Sequence, residues 1–260
     1  MKIVLQFCCL VLLFLANDVT CQTNEPAMPK NMDLYLLIGQ SNMAGRGNIE
    51  PAYAIQGNER LWMLTKQGEW LPAKHPLHFD KPNMVGVGPS LAFGLDMLQN
   101  GDHPIGLIPC AVGGSAISSW LASGFDAATN THPFDDAVIQ LKKALTSGQL
   151  KGIIWHQGEA DSSPEKRKDY LAKLAIMINA WRGLVNNPNL PFVAGEIGAF
   201  NDVHQAFNIE LNKLPSLVTR TAVASSKGLI DKGDHLHFDA ASATELGKRF
   251  AIKMKQLQEQ

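Results

Sequence analysis

The chain has 260 residues, 45% of them apolar, enough to bury a full core as one domain. Its formal net charge is −1, with no basic stripe and no block of like charges, which argues against nucleic acid or another polyanion as partner. Of four cysteines, Cys8, Cys9 and Cys21 crowd the N-terminus and leave Cys110 alone, which excludes a disulfide framework and a cysteine-based metal site in the rest.

The first element in the chain is a leader. Met1-Lys2 precedes the apolar run IVLQFCCLVLLFLA, and polar NDVTCQTNEP follows. A positive start, an apolar run below the ~20 residues that span a bilayer, and a polar exit read as a signal peptide over residues 1–21. An uncleaved anchor and lipid attachment at Cys21 are the alternatives, but the run is short and DVTC is a poor lipidation signal. The expectation is a secreted, extracytoplasmic domain over 22–260, with no stable membrane insertion once the leader is cleaved.

A strand is predicted over 33–38, and then 46–84 is rich in Pro, Gly and Trp and weakly periodic, the mark of a functional wall or lid. A helix over 90–98 carries Leu91, Leu95 and Leu98 on one face and leads to a strand over 105–111. The helix over 134–145, with Val138, Leu141 and Leu145, is followed by a strand over 152–156. Ser163 caps a long helix over 164–185, with Pro164 at its first position. A strand over 192–197, a helix over 206–214, a strand over 219–224 and a helix over 240–257 complete the series. Near-continuous apolar strands alternating with amphipathic helices predict an α/β domain with a parallel sheet covered on both faces.

In such a sheet the chemistry gathers beyond the carboxyl ends of the strands. Those positions hold GQSNMAGRG, VGGSAISSW and HQGEADS, and DKGDHLHFDA precedes the last helix. Ser41 needs a base and the base needs an orienting group. Asp234 and His237, three residues apart, supply both, leaving Nε2 of the imidazole free to face Ser41. An oxyanion formed by attack on an ester would need donors, for which the Ser41 and Gly114 N–H groups and the Gln157 amide are the candidates.

The blocks GQSNMAG, GGSAISSW, WHQGEAD and DHLHF together resemble those of SGNH-type hydrolases. Within that superfamily they are most similar to the carbohydrate-esterase branch that holds acetylxylan esterases of family six and sialate O-acetylesterases. The resemblance spans the whole mature chain. It implies a three-layer α/β/α flavodoxin-like fold and serine-based removal of O-acetyl groups from carbohydrates, with no metal or organic cofactor. By position it implies Ser41 as nucleophile, Asp234 as acid and His237 as base, with Gly114 and Gln157 in the oxyanion hole. The broader superfamily has an asparagine in the third block where this chain reads Gln157-Gly158-Glu159, so Gln157 or Glu159 can face inward. Gly113 and Gly114 are alternatives in the second block.

Competing readings attach to several residues. Ser41 can simply cap a helix. Ser115 lacks the closing glycine of a nucleophile elbow. Asp234, His235, His237 and Asp239 have the chemistry of a metal site, but no HExxH accompanies them. His156 is a rim or a packed residue. Glu159 and Asp161 are closer to loop anchors, with Arg46 as a partner, than to a glycosidase pair. Trp120 is expected to wall a substrate cleft and Arg46 to contact substrate, whereas Trp155 and Trp181 read as core and Trp62 and Trp70 remain open. A carbohydrate-binding protein without turnover, and an esterase for aryl or lipid esters, are the rival functions.

Overall fold

The computed structural model describes residues 29–54 and 57–260, so the leader expected over 1–21 lies outside the described residues. Seven strands form one sheet: β1 (Met32–Gly39), β2 (Leu61–Leu64), β3 (Trp70–Pro72), β4 (Ile105–Pro109), β5 (Gly148–His156), β6 (Phe192–Gly195) and β7 (Thr221–Ala224). Their order is β3-β2-β4-β1-β5-β6-β7, parallel throughout except for the β2–β3 hairpin at one edge. The helices are α1 (Ser41–Ala44), α2 (Ser90–Met97), α3 (Pro133–Ala144), α4 (Pro164–Arg167), α5 (Tyr170–Leu184), α6 (Asp202–Leu211), α7 (Leu214–Leu217) and α8 (Ala240–Gln258).

The alternation of side chains along central β1 builds the layers. Leu34, Leu36 and Ile38 join a core with Leu141 of α3, Leu174 and Trp181 of α5 and Phe207 of α6. Tyr35 and Leu37 join a second core with Leu91 and Phe93 of α2 and Leu246, Phe250 and Met254 of α8. The result is the expected α/β/α sandwich, with a fully buried stretch of β1 aimed at Ser41.

Two expectations are corrected here. The segment 46–84 is not irregular throughout, because β2 and β3 lie within it and extend the sheet beyond β4. Edge strands of three or four residues are too short to show a period. The helix expected over 164–185 is broken at Asp169, whose φ of −103° and ψ of 2° leave the helical region; Ser163 caps the first piece, accepting the Lys166 N–H. At the end of β1, Gly39 has a φ of +136°, and a Cβ there would collide with the His156 carbonyl. Only glycine lets β1 lie this close to β5 and then turn into α1.

The segment 46–84 also carries a buried imidazole, His78, and a half-buried one, His75. Ala111 N–H donates to His78 Nδ1, which leaves the His78 proton on Nε2, facing Ser90 Oγ at 3.1 Å. Burial, then the charges of Arg46 and His75, lower His78 to about 3, and burial lowers His75 to about 4, from the ordinary 6.5. The unfolded chain therefore binds protons at these sites before the folded one does, and stability falls as pH drops from 6.5 toward 3. The urea midpoint is expected to be lower at pH 5 than at pH 7, with a shallower decline in His78→Asn, which keeps an acceptor for Ala111 N–H. An equal decline in both proteins would remove His78 from this explanation.

Candidate active site

Ser41, Gly114, Gln157 and His237 come from four loops at the same rim of the sheet, beyond β1, β4 and β5 and before α8. Ser41 Oγ lies 3.0 Å from His237 Nε2, across 196 positions of sequence. On the far side of the ring, His237 Nδ1 lies 2.7 Å from Asp234 Oδ2. Asp234 Oδ1 accepts the N–H groups of Leu236 and His237, so one carboxylate closes the turn and orients the ring together. Partial burial pushes the Asp234 carboxyl up, but the His237 N–H, its imidazole and the Leu236 N–H outweigh this and hold it at about 2. Asp234 is thus held ionised beside His237 Nδ1, an arrangement that turns Nε2 toward the Ser41 hydroxyl.

The donors near Ser41 are also resolved. Among the described residues nothing accepts the N–H of Ser41 or of Gly114. Gly114 has a φ of +86°, and a Cβ there would meet nothing within 4 Å. Gly113 differs: its N–H donates to Asp80 Oδ2 at 3.0 Å and its carbonyl accepts Lys81 Nζ at 3.0 Å. A Cβ at Gly113 would meet both Arg46 and Asp80. Of the two glycines, Gly114 is the one with a donor to offer.

Gln157 departs from expectation. It is fully buried, and its Nε2 donates to Asp161 Oδ2 at 2.6 Å and to the Ser115 carbonyl at 3.1 Å. Both amide hydrogens are thereby committed, and none remains for an oxyanion. Glu159 is no substitute donor, since its Oε1 accepts from Asn42 Nδ2. Gln157 instead ties two loops together: Asp161 Oδ2 also accepts the Ile117 N–H. Tyr170 Oη accepts from Trp155 Nε1 and donates to the Gln157 carbonyl, a role that burial supports by pushing the phenol well above its ordinary pKa.

Trp120 is likewise not a cleft wall. It is fully buried, edge-on to Trp155, and its Nε1 donates to Ser115 Oγ. Ser115 Oγ donates in turn to the Val112 carbonyl, so the rival serine is part of the scaffold under Gly114. Arg46 is buried in an ion pair with Asp80 at 2.9 Å and does not present its charge to a ligand. Its partner is Asp80, not Glu159 or Asp161. His156 is buried, with Nε2 against the Glu196 carbonyl, and His235 is exposed, 3.7 Å from Asp231. Trp62, Trp70, Trp155 and Trp181 are all core residues. Among the described residues no three His, Cys, Asp or Glu side chains converge as metal ligands, and no helix is long and apolar enough to cross a membrane.

Sequence reasoning passed over Asn42 and Asp80. Asn42 stands beside Ser41 in GQSN, and its amide reaches the loop that carries His237. Asp80 lies in the segment without periodicity, where no pattern marks it.

Comparison with known proteins places the chain among carbohydrate esterases. A relative in Arabidopsis thaliana, described as a probable carbohydrate esterase, is 28% identical over 251 residues, covering 87% of this chain and 91% of its own. A solved Arabidopsis thaliana structure superimposes with a TM-score of 0.77 at 27% identity, covering 88% of this chain and 99% of that one. A carbohydrate acetylesterase from Xanthomonas citri shares the fold with a TM-score of 0.64 at 22% identity, over 87% of this chain and 57% of its own. The sequence model of the family "Carbohydrate esterase, sialic acid-specific acetylesterase" matches residues 31–256, and the chain belongs to that family.

Proposed function

We propose that the protein is an exported serine esterase that removes O-acetyl groups from carbohydrates. The observation that carries this reading is the chain of contacts from Ser41 Oγ through His237 to Asp234, at 3.0 and 2.7 Å. His237 Nε2 takes the Ser41 proton as Oγ bonds to the acetyl carbon, and the carbonyl oxygen becomes an oxyanion facing the N–H groups of Ser41 and Gly114. The intermediate collapses, the ester C–O bond breaks, and the sugar hydroxyl leaves with the proton held by His237. Water, deprotonated by the same imidazole, attacks the acetyl-serine; acetate departs and Ser41 regains its proton. These residues complete the cycle without a cofactor. The leader over residues 1–21 would place the activity outside the cytoplasm.

The substrate is proposed as an acetylated glycan because the family is one of carbohydrate esterases. Acetate release from O-acetylated sialic acid, acetylxylan and p-nitrophenyl acetate tests this. At least one acetylated sugar is expected to exceed the aryl ester in kcat/KM. Turnover of aryl or lipid esters with none of the sugars would contradict the assignment, and saturable sugar binding without acetate release would make the protein a lectin.

A further inference from the structure

His237 sits on an exposed loop whose bonds are mostly its own. Residues 232–236 are exposed, and the turn is closed by the Asp231–Phe238 bridge, by the Lys232 N–H on the His237 carbonyl and by backbone N–H groups on the Asp231 and Asp234 carboxylates, contacts that fix its shape and not its distance from Ser41. Yet the imidazole must stay within bonding reach of a serine held just beyond the buried end of β1. A displacement of about 1 Å between reacting groups costs on the order of 100-fold in rate, so something must set this distance.

We infer that Asn42 is the positioning residue that sets the Ser41–His237 separation, with Glu159 holding its amide in place. The Asn42 Oδ1 accepts the Phe238 N–H at 3.1 Å, and its Nδ2 donates to the Leu236 carbonyl at 3.1 Å. Those are the two neighbours of His237, so one side chain grips the backbone on both sides of the imidazole. Because Asn42 follows Ser41 directly in α1, the same short segment fixes the hydroxyl and the loop that must meet it. The second Nδ2 hydrogen goes to Glu159 Oε1 at 2.6 Å. A flipped amide would set oxygen against both the carboxylate and the carbonyl, so Glu159 allows a single orientation. Phe238, buried against the rings of His156 and Phe200, keeps the far end of the loop from following a lost contact freely.

The inference rests on the serine-esterase reading, and one assay separates the two. In Asn42→Ala, kcat is expected to fall about 10- to 100-fold while KM stays within about twofold, the signature of misaligned groups rather than lost binding. Asn42→Asp keeps the acceptor for Phe238 N–H but loses both donors and sets a carboxylate against Glu159, so it is expected to be no better. Glu159→Gln still accepts from Asn42 and should remain within about threefold of the parent, whereas Glu159→Ala should lose about tenfold or more. A kcat in Asn42→Ala within about threefold of the parent, or a loss confined to KM, overturns the inference. Should Asn42→Ala fail to fold, the Glu159 pair decides: equal kcat in Gln and Ala variants overturns it, and Gln rescue supports it. Activity surviving in Ser41→Ala would instead overturn the esterase reading itself; an inactive Ser41→Ala beside a fully active Asn42→Ala would sink only the positioning role.

Discussion

Ser41→Ala is expected to lower kcat on p-nitrophenyl acetate by about 10,000-fold or more, with the fold intact. In the proposed mechanism no acyl-enzyme forms without Oγ, and the remaining groups can only hold a bound ester beside water. The hydroxyl is a small part of the structure. Its one side-chain hydrogen bond is to His237 Nε2, so the stability change is expected to be about 1 kcal/mol, the net worth of one such bond. Thermal denaturation of the purified variant checks the second half of the expectation, and initial rates check the first. A loss of activity accompanied by unfolding would mean that Ser41 matters as a helix start and not as a nucleophile.

Asp80→Ala is expected to have the largest effect on stability, about 3–5 kcal/mol, because it leaves a buried guanidinium without its anion. The Arg46 side chain is 2% exposed and Asp80 8%, so water cannot take over the lost contact. Arg46 Nε already lacks a partner, and NH1 retains only the Gly45 carbonyl. The same substitution releases Gly113 N–H, leaving Lys81 Nζ as the side chain bonded to that residue. The Gly114 donor then loses its fixed direction, and kcat should fall further than the stability loss alone explains. Replacing both partners, Arg46→Met with Asp80→Leu, is expected to recover most of the stability but not the rate, since Gly113 still lacks its acceptor. Chemical denaturation and steady-state rates on the single and double variants give both quantities. Equal stability of Asp80→Ala and the parent would show that the pair is screened and the clamp unimportant.

The parallel sheet was legible because its strands are apolar over their whole length, as burial on both faces demands. Leu34 through Ile38 could hardly lie anywhere but the centre of a layered core, and they do. The β2–β3 hairpin was not, since three- and four-residue strands at an edge leave no period to read. Within the site, residue type proved informative where the chemistry needs rare combinations. A serine after a buried strand and a D-x-x-H turn near the other end of the chain found each other as expected. Orientation was the part that sequence could not supply. Trp120 and Arg46 have side chains suited to sugars, but packing against Trp155 and pairing with Asp80 turn both inward. Gln157 has the right amide at the right loop, yet Asp161, four residues on, captures its hydrogens. Asn42 went unread because an amide beside a serine resembles any turn residue until its partners, nearly two hundred positions away, are in view.

Mass spectrometry of the protein after treatment with a fluorophosphonate tests most directly whether the Ser41 hydroxyl is activated by His237. A single adduct on Ser41, formed rapidly in the parent and lost in His237→Ala, is the expected result. No adduct, or one on Ser115 or another serine, would contradict it.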